Sequence, residues 1–198
     1  MRVICYGDSN TFGYDPQAMF GEHYHPRWTD ILSELTGWDV VNDGVNGREV
    51  PRERLSIPED TDLFLVMLGT NDLLQLDTPE AAAERMAHFL SAADSHKVVL
   101  IAPPAMTWGL WVQDEELIAD SRHLAQLYQE LAQQLGICFV NAGQWGIPLS
   151  PDGVHFTQEG QGRFAAVPSK QSTTMSTPPK HPVSKGTTGT PAVLAFSA

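Results

Sequence analysis

Five apolar runs separated by helical patterns constrain the fold of this chain more than any other feature. The runs occupy residues 2–6, 38–42, 62–68, 97–102 and 137–141. Several are nearly continuous in Val, Ile, Leu and Phe, as strands covered on both faces must be. Between them, residues 28–35 place Trp28, Ile31, Leu32 and Leu35 on one helical face. Thr78-Pro79-Glu80 opens a second helix with a capping hydroxyl, a proline at the first helical position and an acid at the positive end. That helix is predicted to run to about residue 93, where its pattern fades. The longest helical pattern covers residues 114–135 and closes at Gly136. Such alternation argues for a parallel sheet with helices on both faces. The predicted fold is α/β, a three-layer α/β/α sandwich around a five-stranded parallel sheet.

The 198 residues divide into one domain, 1–166, and a tail, 167–198. The tail is rich in Thr, Ser and Pro and carries no Asp or Glu; the final acid is Glu159. Its composition reads as disordered or loosely attached. Thr157-Gln158-Glu159 opens a closing helix whose pattern meets Pro168. That helix is therefore expected to stop near Val167, as an altered terminus would make it do, and to leave some sheet surface without cover. A formal charge of -12 disfavours nucleic acid and anionic membrane surfaces as partners. Cys5 and Cys138 fall inside predicted strands and read as core residues rather than a disulfide or a metal site. With neither a secretory pattern nor a membrane-length apolar run, the expected location is cytoplasmic.

The first strand ends in Gly7-Asp8-Ser9, at the carboxyl edge where open α/β sheets bind ligands. Three further segments suit the same chemistry: Asn42 to Gly47, Gly69-Thr70-Asn71-Asp72, and Asp152-Gly153-Val154-His155. Acyl transfer needs an activated hydroxyl, a base within hydrogen-bond reach, and donors aimed at a developing oxyanion. Ser9 is the candidate nucleophile and His155 the candidate base. Asp152, three residues earlier, is the candidate orienting carboxylate. The backbone N–H groups of Ser9 and Gly47 and the side-chain amide of Asn71 are the candidate oxyanion donors, glycine at 47 allowing close approach to a substrate. Tyr14, Thr70 and Trp108 are weaker candidates for lining a pocket. Asp8 and Asp72 are read as bonding to turn amides. No metal or cofactor is expected, His23 and His25 being too isolated for a metal site. Loops 15–26 and 103–112 follow strand ends and are rich in Trp, Met and Phe, which suits binding; Trp108 and Trp111 fit core or site equally.

These blocks resemble the GDSL/SGNH hydrolases, a family of serine esterases and lipases with a flavodoxin-like sheet. The resemblance rests on Gly7-Asp8-Ser9, Gly47, Asn71 and Asp152-x-x-His155, in the family's order across most of the domain. One departure is Asn10, where the family name implies leucine; it neighbours the nucleophile and is assigned no role. The stretches around Ser9 and Tyr14, Arg27-Trp28-Thr29, residues 67–72 and 153–157 are similar to the small bacterial arylesterase branch with acyltransferase ability. That similarity implies short-chain esters of aryl or simple alcohols, and a homo-oligomer in which neighbouring subunits narrow the site. A carbohydrate O-acetyl esterase and an inactive binding protein of the same fold are the competing readings. Activity is expected to rise with pH as His155 loses its proton, then level off.

Overall fold

A computed structural model describes residues 1–175. Five strands form one parallel sheet: β1 (Arg2–Gly7), β2 (Asp39–Gly44), β3 (Leu63–Met67), β4 (Val98–Ala102) and β5 (Cys138–Asn141). Their order is β2-β1-β3-β4-β5. The chain leaves β1 toward β2 and then returns to β1's other side for β3. This reversal is a topological switch point, where doubly wound sheets open a crevice at the strand carboxyl ends. Register pairs Gly7 with Gly44 on one side and with Met67 on the other. The segments that follow β1, β2 and β3 therefore emerge side by side. The predicted α/β/α sandwich with a five-stranded parallel sheet is the observed fold.

Alternate residues of the strands feed two cores, as the period of two requires. On one face, Val3, Cys5, Leu65, Met67, Val99 and Ile101 are buried with Trp28 and Leu32 of α2 (Trp28–Thr36). On the other, Ile4, Phe64, Val66 and Leu100 pack with Ala82, Met86 and Phe89 of α4 (Pro79–Leu90) and with Leu124, Tyr128 and Leu131 of α5 (Glu115–Leu135). The expected caps are present: Thr78 accepts from the Ala81 amide at 3.2 Å, and Gly136 closes α5 at φ +65°. Two short helices, α1 (Ser9–Phe12) and α3 (Thr70–Leu74), start directly at the sheet's carboxyl edge.

The closing helix corrects the sequence reading. α6 spans Gln158–Met175 and does not stop at Val167. A proline inside a helix deletes one backbone hydrogen bond and bends the axis without forbidding the helix. Nor is the sheet left without cover here. Phe164 is fully buried, its ring 4.8 Å from Trp28 and 5.2 Å from Phe156, and Gln161 accepts the Trp28 amide at 2.9 Å. Burial of one such aromatic side chain contributes about 1.5–3 kcal/mol. The part of the expected tail beyond Met175 lies outside the described residues. Among the described residues no helix is long and apolar enough to cross a membrane.

Candidate active site

Gly7 ends β1, Asp8 caps α1, and Ser9 is that helix's first residue. The Asp8 carboxylate accepts the Asn10 amide at 2.9 Å, the turn-amide role expected of it. Ser9 is nearly buried, with its Oγ 3.0 Å from His155 Nε2. His155 Nδ1 lies 2.8 Å from Asp152 Oδ2. A carboxylate only accepts, so Nδ1 carries the imidazole proton and Nε2 is left to accept from the Ser9 hydroxyl. Burial pushes the Asp152 carboxyl pKa up. Hydrogen bonds from the His155 ring and from the amides of His155 and Val154 outweigh that effect and hold it below the usual value. Three groups from two segments far apart in sequence thus form one hydrogen-bonded chain with the geometry that can activate a hydroxyl.

Two devices hold His155 in place. One is a strap formed by the loop after β4. Its Thr107, Leu110 and Trp111 amides donate to the Gly153, Pro151 and Asp152 carbonyls, each at 3.0 Å. Backbone meets backbone so closely that only glycine fits. A Cβ at Gly109 would stand 2.4 Å from the Asp152 carbonyl carbon, and one at Gly153 2.1 Å from the Thr107 oxygen. The other device is Asn10. Its side chain donates to the Val154 carbonyl at 3.2 Å and accepts the Phe156 amide at 2.9 Å, bracketing His155 in sequence. The residue without an assigned role is therefore the link between the Ser9 and His155 segments. Its position next to Ser9, polar where leucine was implied, was the available signal.

The aromatic assignments change in detail. Tyr14 lies against the His155 ring, 4.8 Å between centroids. Trp111 meets the same ring edge-on at 4.9 Å, whereas Trp108 stands 64% exposed on the loop. Met106 is buried core and not an exposed loop residue. Thr70 is also buried, and lines a small internal space with Leu73, Pro104 and Met106, which groups it with the core. His23 and His25 are not isolated from each other, their rings lying 4.3 Å apart.

The turn after β2 carries Gly47 at φ +75°, a conformation that favours glycine. A Cβ there would meet nothing within 4 Å, so conformation, more than crowding by the protein, explains the residue. The Asn71 amide donates to the Arg48 carbonyl at 3.0 Å, which ties the β2 and β3 segments together. Asp72 bonds to a turn amide as expected, and also to a guanidinium. It is fully buried, accepts the Val50 amide at 3.2 Å, and pairs with Arg85 at 2.6 Å. Asp72, Glu49 and Asp77 bring carboxylate oxygens within 4.8 Å of one another, and Arg85 bonds both aspartates of this group. Burial raises the neighbouring Asp8 carboxyl to about 6, against the lowering effects of the Asn10 amide and His155.

An open parallel sheet with a hydrogen-bonded Ser-His-Asp chain outside its carboxyl edge is an α/β hydrolase scaffold. The sequence profile of the GDSL-like lipase/acylhydrolase family matches residues 5–163, and the chain belongs to that family. Solved structures agree on the fold. An aryl esterase from M. smegmatis is 23% identical, with a TM-score of 0.70 over 87% of this chain and 98% of its own. A candidate arylesterase from Agrobacterium tumefaciens str. C58 is 27% identical, with a TM-score of 0.73 over 87% and 98%. A carbohydrate acetylesterase from Sinorhizobium meliloti is 22% identical, with a TM-score of 0.70 over 88% and 99%. The search of curated proteins found no match.

Proposed function

We propose that this GDSL hydrolase cleaves short-chain acyl esters through an acyl-serine intermediate. The hydrogen-bonded chain from Ser9 through His155 to Asp152 carries the reading. In this mechanism Ser9 Oγ attacks the ester carbonyl carbon while its proton passes to His155 Nε2. Negative charge develops on the carbonyl oxygen, which the N–H groups of Ser9 and Gly47 and the Asn71 amide receive. The tetrahedral species collapses, the C–O bond to the alcohol breaks, and His155 protonates the leaving oxygen. Water then attacks acyl-Ser9 by the same route and releases the acid. Asp152 keeps the imidazole in the working tautomer and stabilises the imidazolium.

The substrate in this reading is a small neutral ester. The enclosed relay between Tyr14 and Trp111 suits a short acyl group. Similarity to solved arylesterases supports an aryl or simple alcohol. A second reading, carbohydrate O-acetyl esterase, draws on the exposed indoles of Trp108 and Trp111, since sugar rings dock on aromatic faces as aryl rings do. Hydrolysis of p-nitrophenyl acetate beside Ser9→Ala, with a peracetylated sugar as competitor, tests both. Turnover lost in the variant and weakly inhibited by the sugar supports the first reading. Strong inhibition with acetate release supports the second. Turnover surviving in Ser9→Ala contradicts both.

A further inference from the structure

One residue, through its side chain and its backbone, joins all three segments that supply the proposed oxyanion donors. The Arg48 guanidinium donates through Nη1 to the Gly7 carbonyl at 3.1 Å and to the Asp43 carbonyl, and through Nη2 to Asp43 Oδ1 at 2.8 Å. Its carbon lies 4.0 Å from the centre of the Tyr6 ring. The Arg48 side chain is 17% exposed, and its Asp43 partner is half-exposed. The backbone of the same residue completes the arrangement. Its amide donates to Val45 at 3.1 Å and closes the turn that holds Gly47. Its carbonyl accepts one N–H of the Asn71 amide. An amide nitrogen has two N–H groups in one plane. Fixing one on Arg48 fixes where the other points.

Resting on the ester-hydrolase reading, we infer that Arg48 is a positioning residue for the oxyanion donors. Gly7 lies two residues before Ser9, Asp43 is the penultimate residue of β2, and Asn71 follows β3. The planar guanidinium holds the first two with a fork that a lysine ammonium does not reproduce. The carbonyl of the residue so held then sets the Asn71 amide. Arg48 touches no reacting atom. It acts through Gly47 and Asn71, and errors of about 1 Å in such donors cost up to about a hundredfold in rate. Asp72, bonded to the Val50 amide, anchors the other end of the same turn.

The test measures kcat, KM and thermal midpoint for Arg48→Lys and Arg48→Gln, alone and combined with Asn71→Ala. Arg48→Lys should lower kcat by about ten- to a hundredfold, and KM should move less than about threefold, because the lost interaction belongs to the transition state. In the Asn71→Ala background the same change should cost clearly less than it does alone, since one of the two donors it positions is gone. Where Arg48→Gln unfolds, Asp43→Asn loosens the same guanidinium from a half-exposed partner and should show a smaller loss, again in kcat. Folded Arg48→Lys with kcat within about threefold of wild type, or full loss persisting beside Asn71→Ala, overturns the inference alone. A folded wild type with no Ser9-dependent turnover overturns the ester-hydrolase reading, and this inference with it.

Discussion

Asn10→Ala is the substitution whose consequence the structure specifies most fully. The side chain removed is 4% exposed and makes two bonds across the molecule, to the Val154 carbonyl and from the Phe156 amide. Both backbone groups are buried and lose their recorded partner. Each such loss costs about 1–3 kcal/mol, for a total of about 2–6 kcal/mol. That is a large share of the roughly 5–15 kcal/mol by which a domain is stable. The bonds flank His155, so the base should lose registration with Ser9 as stability falls. Urea unfolding followed by circular dichroism should show a lower midpoint with an unchanged slope, and kcat should fall in the protein that remains folded. Asn10→Leu restores apolar burial but neither bond, and should lie between alanine and wild type in stability without recovering kcat. An alanine variant within about 0.5 kcal/mol of wild type and with wild-type kcat would refute the reasoning, because surface-like behaviour of that size means that the bonds do not hold the turn.

Three further outcomes follow from named contacts. Asn71→Ala should lower kcat by about a hundred- to a thousandfold, the usual loss for one oxyanion donor; steady-state kinetics showing a change confined to KM would contradict that role. Gly109→Ala puts a Cβ 2.4 Å from the Asp152 carbonyl carbon and should cost about 1–3 kcal/mol in overpacking together with a fall in kcat, read by thermal melts beside activity. Asp8, raised by burial from the ordinary 3.8 to about 6, keeps a proton in the folded state that the unfolded chain has lost between those values. Its contribution therefore makes stability fall as pH rises through that window, by up to about 3 kcal/mol. Asp8→Asn should raise the thermal midpoint above about pH 7 and lose that advantage near about pH 4. Parallel midpoint-against-pH curves for the two proteins would count against the assignment. The comparison isolates Asp8, since Asp152 is lowered and acts with the opposite sign.

The strand-and-helix alternation was legible because strands buried on both faces must be apolar runs, and each of the five appears within a residue or two of its predicted span. That Ser9, Asp152 and His155 meet was legible for a related reason: each stands in a short local motif that points to the same sheet edge. What escaped was long-range. Asn10 meets Val154 and Phe156 at a separation of about 145 residues, and no local pattern carries such a pairing. Arg48 follows a recognised glycine, but its role depends on the register that sets Gly7 beside Gly44. Trp111, rather than Trp108, reaches His155 because the backbone strap turns the loop, and that turn depends on Gly109 meeting Gly153. The closing helix was misjudged because Pro168 was read as a stop, while burial of Phe164 and Ala165 fastens the preceding turns to the sheet.

The most direct measurement of the central claim is labelling with an active-site fluorophosphonate, read by intact mass and peptide mapping. A serine activated by His155 displaces fluoride and becomes a stable phosphonyl ester. One adduct should form per chain, on the peptide containing Ser9, slowly or not at all in His155→Ala, and be absent in Ser9→Ala. An adduct that persists in Ser9→Ala, or none on folded wild-type protein, would mean that Ser9 is not an activated nucleophile.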